Sequence, residues 1–394
     1  MRILLLSFYF QPDLSAGSFR TTALVRALLD RLPANASLEV ITTQPNRYSS
    51  FSLEAPFQEQ LSRLTIHRVP LSHHNSGMLD QSRAFLGYAR RVIGIVGSQR
   101  YDLVYATSSR LMTASLGAVV ARRIGCPLYL DIRDIFVDTI KDVLPAKFSW
   151  LLKPVFSLVE SLTIRAASRV NVVSAGFLPY FQSRYPKGSF VVFTNGIDNE
   201  FLEAQPSQAY ESQERILTVL YAGNIGEGQG LHSIIPSLAK RYEGRLRFLC
   251  IGDGGRKKRL EQALDSSGVT NVEIVPPICR ADLISAYQEA DVLFLHLNDY
   301  GAFRKVLPSK LFEYAALGKP IWAGVAGYSA EFIHEYISNA VVFSPCNVDE
   351  AERSFASLDM MTAPRPEFVK NFSRANIMQA LARDIILLKQ STSI

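Results

Sequence analysis

Long hydrophobic runs are absent from this sequence of 394 residues. No stretch approaches the roughly 20 apolar residues that a membrane-spanning helix needs. The apolar start from Leu4 to Phe8 is broken by Gln11, Pro12 and Asp13, and no Ala-x-Ala-like cleavage site is present, so we interpret it as a first strand and not as a signal peptide. The sequence therefore predicts a cytoplasmic protein that does not span a membrane.

Cysteine and histidine are also scarce. The four cysteines form no Cys-x-x-Cys pair, the six histidines show no metal-ligand spacing, and no Asp-x-Asp pair closes a predicted strand. These absences give no sign of a disulfide framework or a zinc site and fit a reducing compartment. His296 follows a predicted strand and is a candidate sugar contact, with simple packing as the alternative.

Acidic residues are few in the first half of the chain. Residues 1–190 contain 22 lysines and arginines against 12 acidic residues, whereas the remainder contains 20 against 24. The first half is therefore basic although the whole chain carries a formal charge of only +6. This asymmetry favours an anionic surface or substrate as the partner of the N-terminal half. We expect no nucleic-acid partner.

The length and the pattern of short apolar runs indicate two α/β domains, each a doubly wound, Rossmann-like parallel sheet. We expect an N-terminal domain over residues 1–194, a C-terminal domain over 195–372, and a final helix over 373–394 that packs back toward the first domain. Strands are predicted at residues 3–7, 38–42, 64–69, 103–106, 128–130, 170–173, 190–193, 217–221, 246–251, 272–274, 292–295, 320–323 and 340–343.

The segment Leu307–Ile321 carries the most specific pattern. Pro308 suits the first turn of a helix, and Gly318 with Pro320 ends it, which predicts a helix over residues 308–317. The unpaired N–H groups at its start suit phosphates, and Glu313 lies about one turn further on, where a ribose diol could meet it. The alternative is an ordinary helix start with a solvated carboxylate.

Two glycine-rich loops follow predicted strands of the second half. Gly223, Asn224 and Gly226 lie in the first, and Asp253 and Gly254 in the second, which continues to Lys258. Glycines let a backbone come within hydrogen-bond distance of phosphate oxygens. The loop after the first strand contains Gly17 but no Gly-x-Gly-x-x-Gly, so it indicates either a ligand at a helix start or a plain turn.

In this order, the glycine loop, Gly-Asp-Gly and Pro-Ser-Lys-Leu-Phe-Glu-Tyr resemble the retaining family-four glycosyltransferases of the GT-B fold. The resemblance covers nearly the whole chain and is strongest to the bacterial branch that builds O-antigen, capsule and other surface polysaccharides. Asp131-Ile132-Arg133-Asp134 is similar to the Asp-x-Arg-Asp signature of that branch, and residues 194–198 are similar to its interdomain turn.

The resemblance implies two Rossmann-like domains facing across a cleft, with the donor in the second and the acceptor in the first. It implies that Glu313 holds the ribose hydroxyls, while Ser309, Lys310 and the 223–226 loop approach the diphosphate of a nucleotide sugar, UDP-sugar foremost. It also implies retention by front-face attack without an enzyme nucleophile, and no metal or other cofactor. Asp134 is the candidate to position or deprotonate the acceptor, with Arg133 for an anionic acceptor group; a structural Arg–Asp pair is the alternative.

The sequence departs from the family pattern at two places. Lys305, preceded by Arg304, occupies the position of the first motif glutamate, and the glycine loop lacks the usual arginine and lysine. We hypothesise that Arg304 and Lys305 provide the leaving-group charge that the loop has lost. The alternative is a mobile surface pair.

The expected activity is transfer of a hexose or N-acetylhexosamine to a lipid-linked or saccharide acceptor. The segment Lys147–Phe156 mixes aromatic, aliphatic and basic residues, which favours either core packing or shallow contact with an anionic membrane. A nucleotide-sugar 2-epimerase and a non-catalytic nucleotide-sugar-binding subunit are the alternative functions.

Overall fold

The computed structural model describes residues 1–13, 15–45, 55–71, 78–108, 111–138, 146–203 and 215–391, with the backbone alone for 78–82, 146–151 and 391. The chain forms two compact units. Unit 1 comprises Met1–Asn195 and Arg374–Ile394, and unit 2 comprises Gly196–Ser373. The boundaries expected from the sequence each lie one residue before these.

Unit 1 is built on a single sheet. Its strands are β1 (Arg2–Leu6), β2 (Ser37–Thr43), β3 (Gln58–Gln60), β4 (Leu64–Val69), β5 (Leu103–Thr107), β6 (Leu128–Ile132), β7 (Arg169–Val172) and β8 (Phe190–Val192). They lie in the order β3-β4-β2-β1-β5-β6-β7-β8. All neighbours are parallel except β3, which runs antiparallel to β4.

Five helices of unit 1 connect these strands in the described part of the chain. They are α1 (Ala16–Arg31), α2 (Met78–Val96), α3 (Leu111–Ile124), α4 (Ala146–Ala166) and α5 (Leu178–Arg184). Ser15 caps α1 by accepting a hydrogen bond from the Ser18 N–H at 3.1 Å, which satisfies one of the donors at the helix start.

Unit 2 is a six-stranded parallel sheet covered by helices. Its strands are β9 (Leu217–Ala222), β10 (Leu246–Ile251), β11 (Val272–Val275), β12 (Val292–His296), β13 (Ile321–Gly324) and β14 (Ala340–Phe343), in the order β11-β10-β9-β12-β13-β14. Its helices are α6 (Asn199–Glu203), α7 (Leu231–Arg241), α8 (Lys257–Ser267), α9 (Arg280–Glu289), α10 (Ser309–Ala316), α11 (Tyr328–Tyr336), α12 (Val348–Ala356) and α13 (Pro366–Phe372).

The last helix, α14 (Arg374–Ser391), belongs to unit 1. Met378 and Leu381 pack with Leu24 of α1 and with Ile3 and Leu5 on one face of the sheet. Burying each such side chain contributes about 1.5–3 kcal/mol, so α14 is an integral part of the unit 1 core. On the other face α3 approaches β5 closely, because a Cβ at Gly117 would lie 2.4 Å from the Cβ of Ala106.

The core of unit 2 has two layers, because successive side chains of a strand face opposite sides of the sheet. Leu220 of β9 packs in one layer with Leu311 and Phe312 of α10. Val219 and Tyr221 pack in the other layer. The helix that carries the Pro-Ser-Lys motif is therefore anchored by its own apolar face.

Every strand predicted from the sequence overlaps an observed one, and the predicted α/β fold class is confirmed. Strand β3 was missed, because its three polar residues lie at an edge and pair only with β4. The predicted start of the motif helix was wrong by one residue. Pro308 is the N-cap of α10, since its ψ of 136° is extended and not helical.

Candidate functional site

The candidate donor site lies at the carboxyl edge of the unit 2 sheet. The strand order reverses between β9 and β12, and ligands of such sheets bind in the crevice at that switch point. The loops after β9, β10 and β12 and the start of α10 all lie at this edge. Gly223, Asn224, Gly226, Asp253, Gly254, Ser309, Lys310 and Glu313, all predicted from the sequence, fall on these segments.

The two glycine loops meet backbone to backbone. A Cβ at Gly252 would lie 1.9 Å from the carbonyl oxygen of Gly223, and a Cβ at Gly254 would lie 2.5 Å from that of Ile225. The Ile225 N–H donates to the Asp253 carbonyl at 2.9 Å, and the Gly254 N–H donates to Oδ1 of Asp253 at 2.8 Å. Asp253 thus holds the shape of its own loop, and Gly252, which the sequence analysis did not select, is required by the contact.

A buried polar group supports the first glycine loop from β12. His296 is fully buried, its Nδ1 lies 2.7 Å from the Gln229 carbonyl, and its Nε2 accepts from the Cys346 N–H at 2.9 Å. The proton therefore resides on Nδ1, and burial lowers the pKa of His296 to about 4. Both ring nitrogens are engaged by backbone groups, which agrees with the packing alternative and leaves His296 as a support of the loop.

Lys310 lies in the first turn of α10. Its Nζ is buried and has no hydrogen-bond partner among the described residues, and it lies 3.8 Å from the centre of the Tyr221 ring. A Cβ at Gly223 would approach this Nζ to 2.7 Å, so the amine lies directly against the glycine loop. Burial lowers the pKa of Lys310 to about 7, although the nearby Glu313 opposes this shift.

Glu313 lies one turn after Lys310 on the same helix. Its Oε2 accepts from the Tyr287 hydroxyl at 3.4 Å, and the Tyr287 and Tyr314 rings pack edge to face with their centres 5.2 Å apart. Both tyrosines are buried, while Glu313 is partly exposed. The carboxylate is thus held by a hydrogen bond from a buried pair of tyrosines, and it stays accessible to solvent.

The remaining predicted cations of unit 2 differ in their surroundings. Arg304 is 57% exposed, and its Nε and Nη2 donate to the two carboxylate oxygens of Asp299 at 2.6 and 2.7 Å. Lys305 is partly exposed, and Lys258 is exposed on α8. Arg304 would have to leave Asp299 to reach a phosphate, and both the leaving-group hypothesis and the surface-pair alternative stay predictions.

Asn224 acts within its own loop. Its Nδ2 donates to Oε1 of Gln229 at 2.9 Å, and the Tyr221 hydroxyl donates to its carbonyl at 2.6 Å. A Cβ at Gly226 would lie 2.4 Å from the Asn224 Nδ2. Asn224 and Gln229 thus form a neutral hydrogen bond within the glycine loop.

A buried ion pair joins α1 to β6 in unit 1, and it was not predicted from the sequence. Arg20 and Asp131 are fully buried, with Nε–Oδ2 and Nη2–Oδ1 distances of 3.0 Å each. Arg20 also donates to the carbonyls of Phe193 and Thr194, and Asn171 donates to Asp131 at 2.6 Å. A cation within the apolar helix pattern of Ala23, Leu24, Ala27 and Leu28 is the signal that could have revealed Arg20.

Arg133 and Asp134 follow β6 at the carboxyl edge of the unit 1 sheet. Nη2 of Arg133 donates to the Ala16 carbonyl at 3.0 Å, next to Gly17 at the start of α1, while its Nη1 is buried without a hydrogen-bond partner among the described residues. Burial lowers the pKa of Arg133 to about 10. Asp134 is exposed. Asp131, the first residue of the signature, forms its ion pair with Arg20, outside the signature.

The described ranges contain neither a candidate metal site nor a candidate membrane span. No group of three or more His, Cys, Asp or Glu side chains there could hold a metal ion. No helix within those ranges is long and apolar enough to cross a membrane. His73 and His74 lie outside the described residues.

Comparison with protein families gives two adjacent matches. The glycosyl transferase 4-like domain matches residues 20–196, and the glycosyl transferases group 1 model matches residues 204–372. The chain belongs to the family-four glycosyltransferases. The GT-B glycosyltransferase shares 36% identity over 100 residues with the putative colanic acid biosynthesis glycosyl transferase WcaI of Escherichia coli (strain K12), an alignment of 25% of this chain and 24% of that protein. The chain thus spans about a quarter of the length of this curated relative.

Solved structures of low identity share the fold of this glycosyltransferase. Sucrose-phosphate synthase from Thermosynechococcus elongatus superimposes with a TM-score of 0.72 at 14% identity, over 99% of this chain and 100% of the other. HepE from Anabaena in complex with UDP-glucose gives a TM-score of 0.64 at 17% identity, over 100% and 98%. The predicted GT-B fold is confirmed. The retaining mode, the polysaccharide branch, the site residues and the metal-free chemistry stay predictions.

Proposed function

We propose that this glycosyltransferase moves a sugar, with retention of configuration, from a UDP-sugar to a lipid-linked saccharide acceptor in surface polysaccharide biosynthesis. The observation that carries the proposal is the placement of Glu313 and Lys310 on adjacent turns of α10, beside the Gly223 loop at the switch point of the unit 2 sheet. A carboxylate suits the ribose diol. The amine, the glycine backbones and the helix start suit a diphosphate.

Leaving-group stabilisation is the main chemical task in this proposal. When the bond between the sugar and the diphosphate breaks, negative charge accumulates on the departing phosphate, and preorganised positive groups stabilise that charge. The N–H groups at Ser309 and Lys310 and the loop backbones meet this need in the metal-free chemistry that we propose. Roles for Arg304 and Lys305 at the phosphate or the sugar remain part of the proposal.

Arg133 and Asp134 serve the acceptor in the proposed reaction. Nη1 of Arg133 is a buried donor without a hydrogen-bond partner in the described part of the chain, and such a group suits an anionic acceptor such as a lipid diphosphate. Asp134 is exposed, and in this proposal it orients the attacking hydroxyl. Front-face attack requires no enzyme nucleophile, and the hydroxyl proton passes to the departing phosphate.

A panel of UDP-sugars tests the function. The purified chain is incubated with each UDP-sugar, with and without extracted lipid-linked saccharides, and released UDP and sugar products are measured. Acceptor-dependent UDP release with a retained anomeric configuration supports the proposal. Isomerisation of the donor would indicate the 2-epimerase alternative, and tight binding without turnover would indicate a non-catalytic subunit.

Glu313 provides a direct test of the donor site. We expect Glu313→Gln to lower kcat/KM for the UDP-sugar by roughly 100-fold, because a charged hydrogen bond to the ribose is worth about 1.5–3 kcal/mol. The matched control is Glu289→Gln at the end of α9. Isothermal titration with UDP separates loss of binding from loss of turnover. Wild-type affinity in Glu313→Gln would exclude the ribose role.

A lipid-linked acceptor lies in a membrane, and an exposed face of unit 1 has the composition of a membrane-contacting surface. Helices α2, α3 and α4 pack side by side, and we call their outer surface the basic apolar face. Its exposed apolar side chains are Leu86, Ile93, Met112, Val119, Val155, Leu158 and Leu162. Its exposed basic side chains are Arg83, Arg90, Arg91, Arg122, Arg123, Lys153 and Arg165.

We propose that an anionic bilayer covers this face. The one acidic side chain among those described on the three helices, Glu160, is buried, so the exposed charges described on this face are all positive. Apolar side chains interspersed with cations are typical of surfaces that lie in the headgroup region. In the segment Lys147–Phe156 named above, the side chains of residues 147–151 lie outside the described ones, and Lys153–Val155 contribute to the face.

Liposome flotation tests the basic apolar face. We expect Leu158→Ser with Leu162→Ser to lower the partition onto anionic liposomes at least tenfold, because each buried leucine contributes about 1.5–3 kcal/mol. Leu387→Ser on α14, where the side chain is 48% exposed, is the matched control and should float as the wild type does. Equal recovery on neutral and anionic liposomes would contradict the proposal.

A further inference from the structure

The Lys310 amine lies where a bound donor could provide its missing hydrogen-bond partners. Its Nζ is buried, lies against Gly223 at the switch-point crevice, and has no hydrogen-bond partner in the described part of the chain. Its one described stabilising contact at short range is the Tyr221 ring at 3.8 Å. An amine that is buried without hydrogen-bond partners lowers the free energy of unfolding of the protein. A ligand that supplies oxygens to the amine would recover that free energy.

We propose that Lys310 supplies the positive charge on the donor diphosphate and takes up a proton as the donor binds. This proposal rests on the proposed use of a nucleoside diphosphate sugar. It assigns the leaving-group charge to Lys310 in the second motif, whereas the family pattern draws cations from the glycine loop. The amine then compensates for the neutral pair of Asn224 and Gln229.

Three other cations near the crevice have acidic partners or lie in solvent. Arg256, which follows the second glycine loop, forms an ion pair with Glu227. Arg304 holds both carboxylate oxygens of Asp299. Lys258 is exposed on α8. Among these four cations, only Lys310 has a buried charged atom that lacks a hydrogen-bond partner in the described structure.

Three titratable groups face the Lys310 amine from the elements around it. Glu313 lies on the same helix, Cys250 approaches from β10, and Tyr221 approaches from β9. Burial raises the pKa of the Cys250 thiol to about 12, so it stays neutral near pH 7. Glu313 is the acidic neighbour, and its attraction does not overcome burial, since the pKa of Lys310 falls to about 7.

The direction of the pH dependence follows from this balance. Because burial lowers the pKa of the Lys310 amine to about 7, its neutral form becomes more populated as the pH rises above 7. A diphosphate favours the ammonium form and raises its pKa, so binding draws a proton from solution. Donor affinity should therefore be highest below pH 7 and should fall as the pH rises toward 9. An intact UDP-sugar is the right probe, because its diphosphate does not titrate in this range, whereas the terminal phosphate of UDP does.

Calorimetry of donor binding tests the proposal. UDP-glucose, or the UDP-sugar selected by the panel, is titrated at pH 7 in buffers of different ionisation enthalpy, and the proton uptake is obtained from the difference in heat. We expect net proton uptake on donor binding in the wild type, larger at pH 8 than at pH 7. Lys310→Met should abolish the uptake, weaken binding roughly tenfold or more and lower kcat roughly 100-fold.

Controls separate the possible outcomes. Lys240→Met, on the exposed part of α7, should keep the wild-type uptake and affinity. Lys310→Met should fold at least as stably as the wild type in thermal unfolding, because it removes a buried amine. If wild-type and Lys310→Met proteins bind the donor equally and without proton uptake, the assignment to Lys310 is wrong while the proposed function stands. If no UDP-sugar binds to the wild type, the proposed function itself fails.

Discussion

Replacing Arg20 with methionine is expected to destabilise unit 1 by about 3–5 kcal/mol, because it leaves the Asp131 carboxylate buried without its countercharge. Arg20 and Asp131 are both fully buried and joined by two hydrogen bonds of 3.0 Å. The substitution also removes the donors to the carbonyls of Phe193 and Thr194. A loss of this size is a large fraction of the stability of an ordinary domain.

Hydrogen exchange measured on peptides of β5, β6 and β8 reports this effect in unit 1 itself. The matched control is the double variant Arg20→Met with Asp131→Leu, which removes both charges together. We expect the double variant to be more stable than Arg20→Met alone, since an apolar pair carries no uncompensated charge. Single and double variants of equal stability would mean that the ion pair contributes little beyond the packing of Arg20.

The same pair makes unit 1 sensitive to acid. Burial raises the pKa of Asp131, but the charge and hydrogen bonds of Arg20 outweigh burial and keep this pKa below its usual value. Because the folded-state pKa is lowered, the stabilising contribution is full above the unfolded-state pKa and is lost as the pH falls through the folded-state value. Asp131→Asn should therefore unfold with a weaker pH dependence below pH 4 than the wild type.

Replacing Gly252 with alanine is expected to weaken donor binding roughly 100-fold or more. The same substitution should lower the free energy of unfolding of unit 2 by about 1–3 kcal/mol. The new Cβ would lie 1.9 Å from the Gly223 carbonyl oxygen, which is a backbone atom and cannot rotate away. The two loops must separate, and the hydrogen bond from the Gly223 N–H to the Ile251 carbonyl, now 2.8 Å, is strained or lost.

Gly255 is a matched control in the same loop. A Cβ at Gly255 meets nothing within 4 Å, so Gly255→Ala should bind the UDP-sugar as the wild type does. Binding is measured by calorimetry and stability by urea unfolding. Normal donor affinity in Gly252→Ala would show that the contact between the glycine loops does not shape the crevice.

The helix and loops of the candidate donor site could be predicted because their signals are local. Pro308 and Gly318 delimit a helix through their own backbone preferences, and α10 begins within one residue of the expected position. Alternation of apolar runs and helical segments predicted two doubly wound sheets, because parallel strands are buried on both faces. These inferences needed only neighbours along the chain.

The roles of the charged side chains could not be predicted from local signals. Arg304 was expected at the leaving group, but its guanidinium is bonded to Asp299 in the structure. Lys310 was expected only to approach the diphosphate, and the absence of a described hydrogen-bond partner at its buried Nζ distinguishes it from Arg256, Arg304 and Lys258. Whether a cation is paired depends on every acidic group that the fold brings near it, and most of those are distant in sequence.

The order of strands and helices, the glycine loops and the position of Glu313 on α10 thus follow from the amino-acid order, because caps, glycines and apolar alternation act over a few residues. The pairing of Arg20 with Asp131, which are 111 positions apart, and the burial of the Lys310 amine against Gly223 arise only when the sheets assemble. Folding removes these charges from water, and the partners available in three dimensions then decide which of them hold the structure and which are left to receive a ligand.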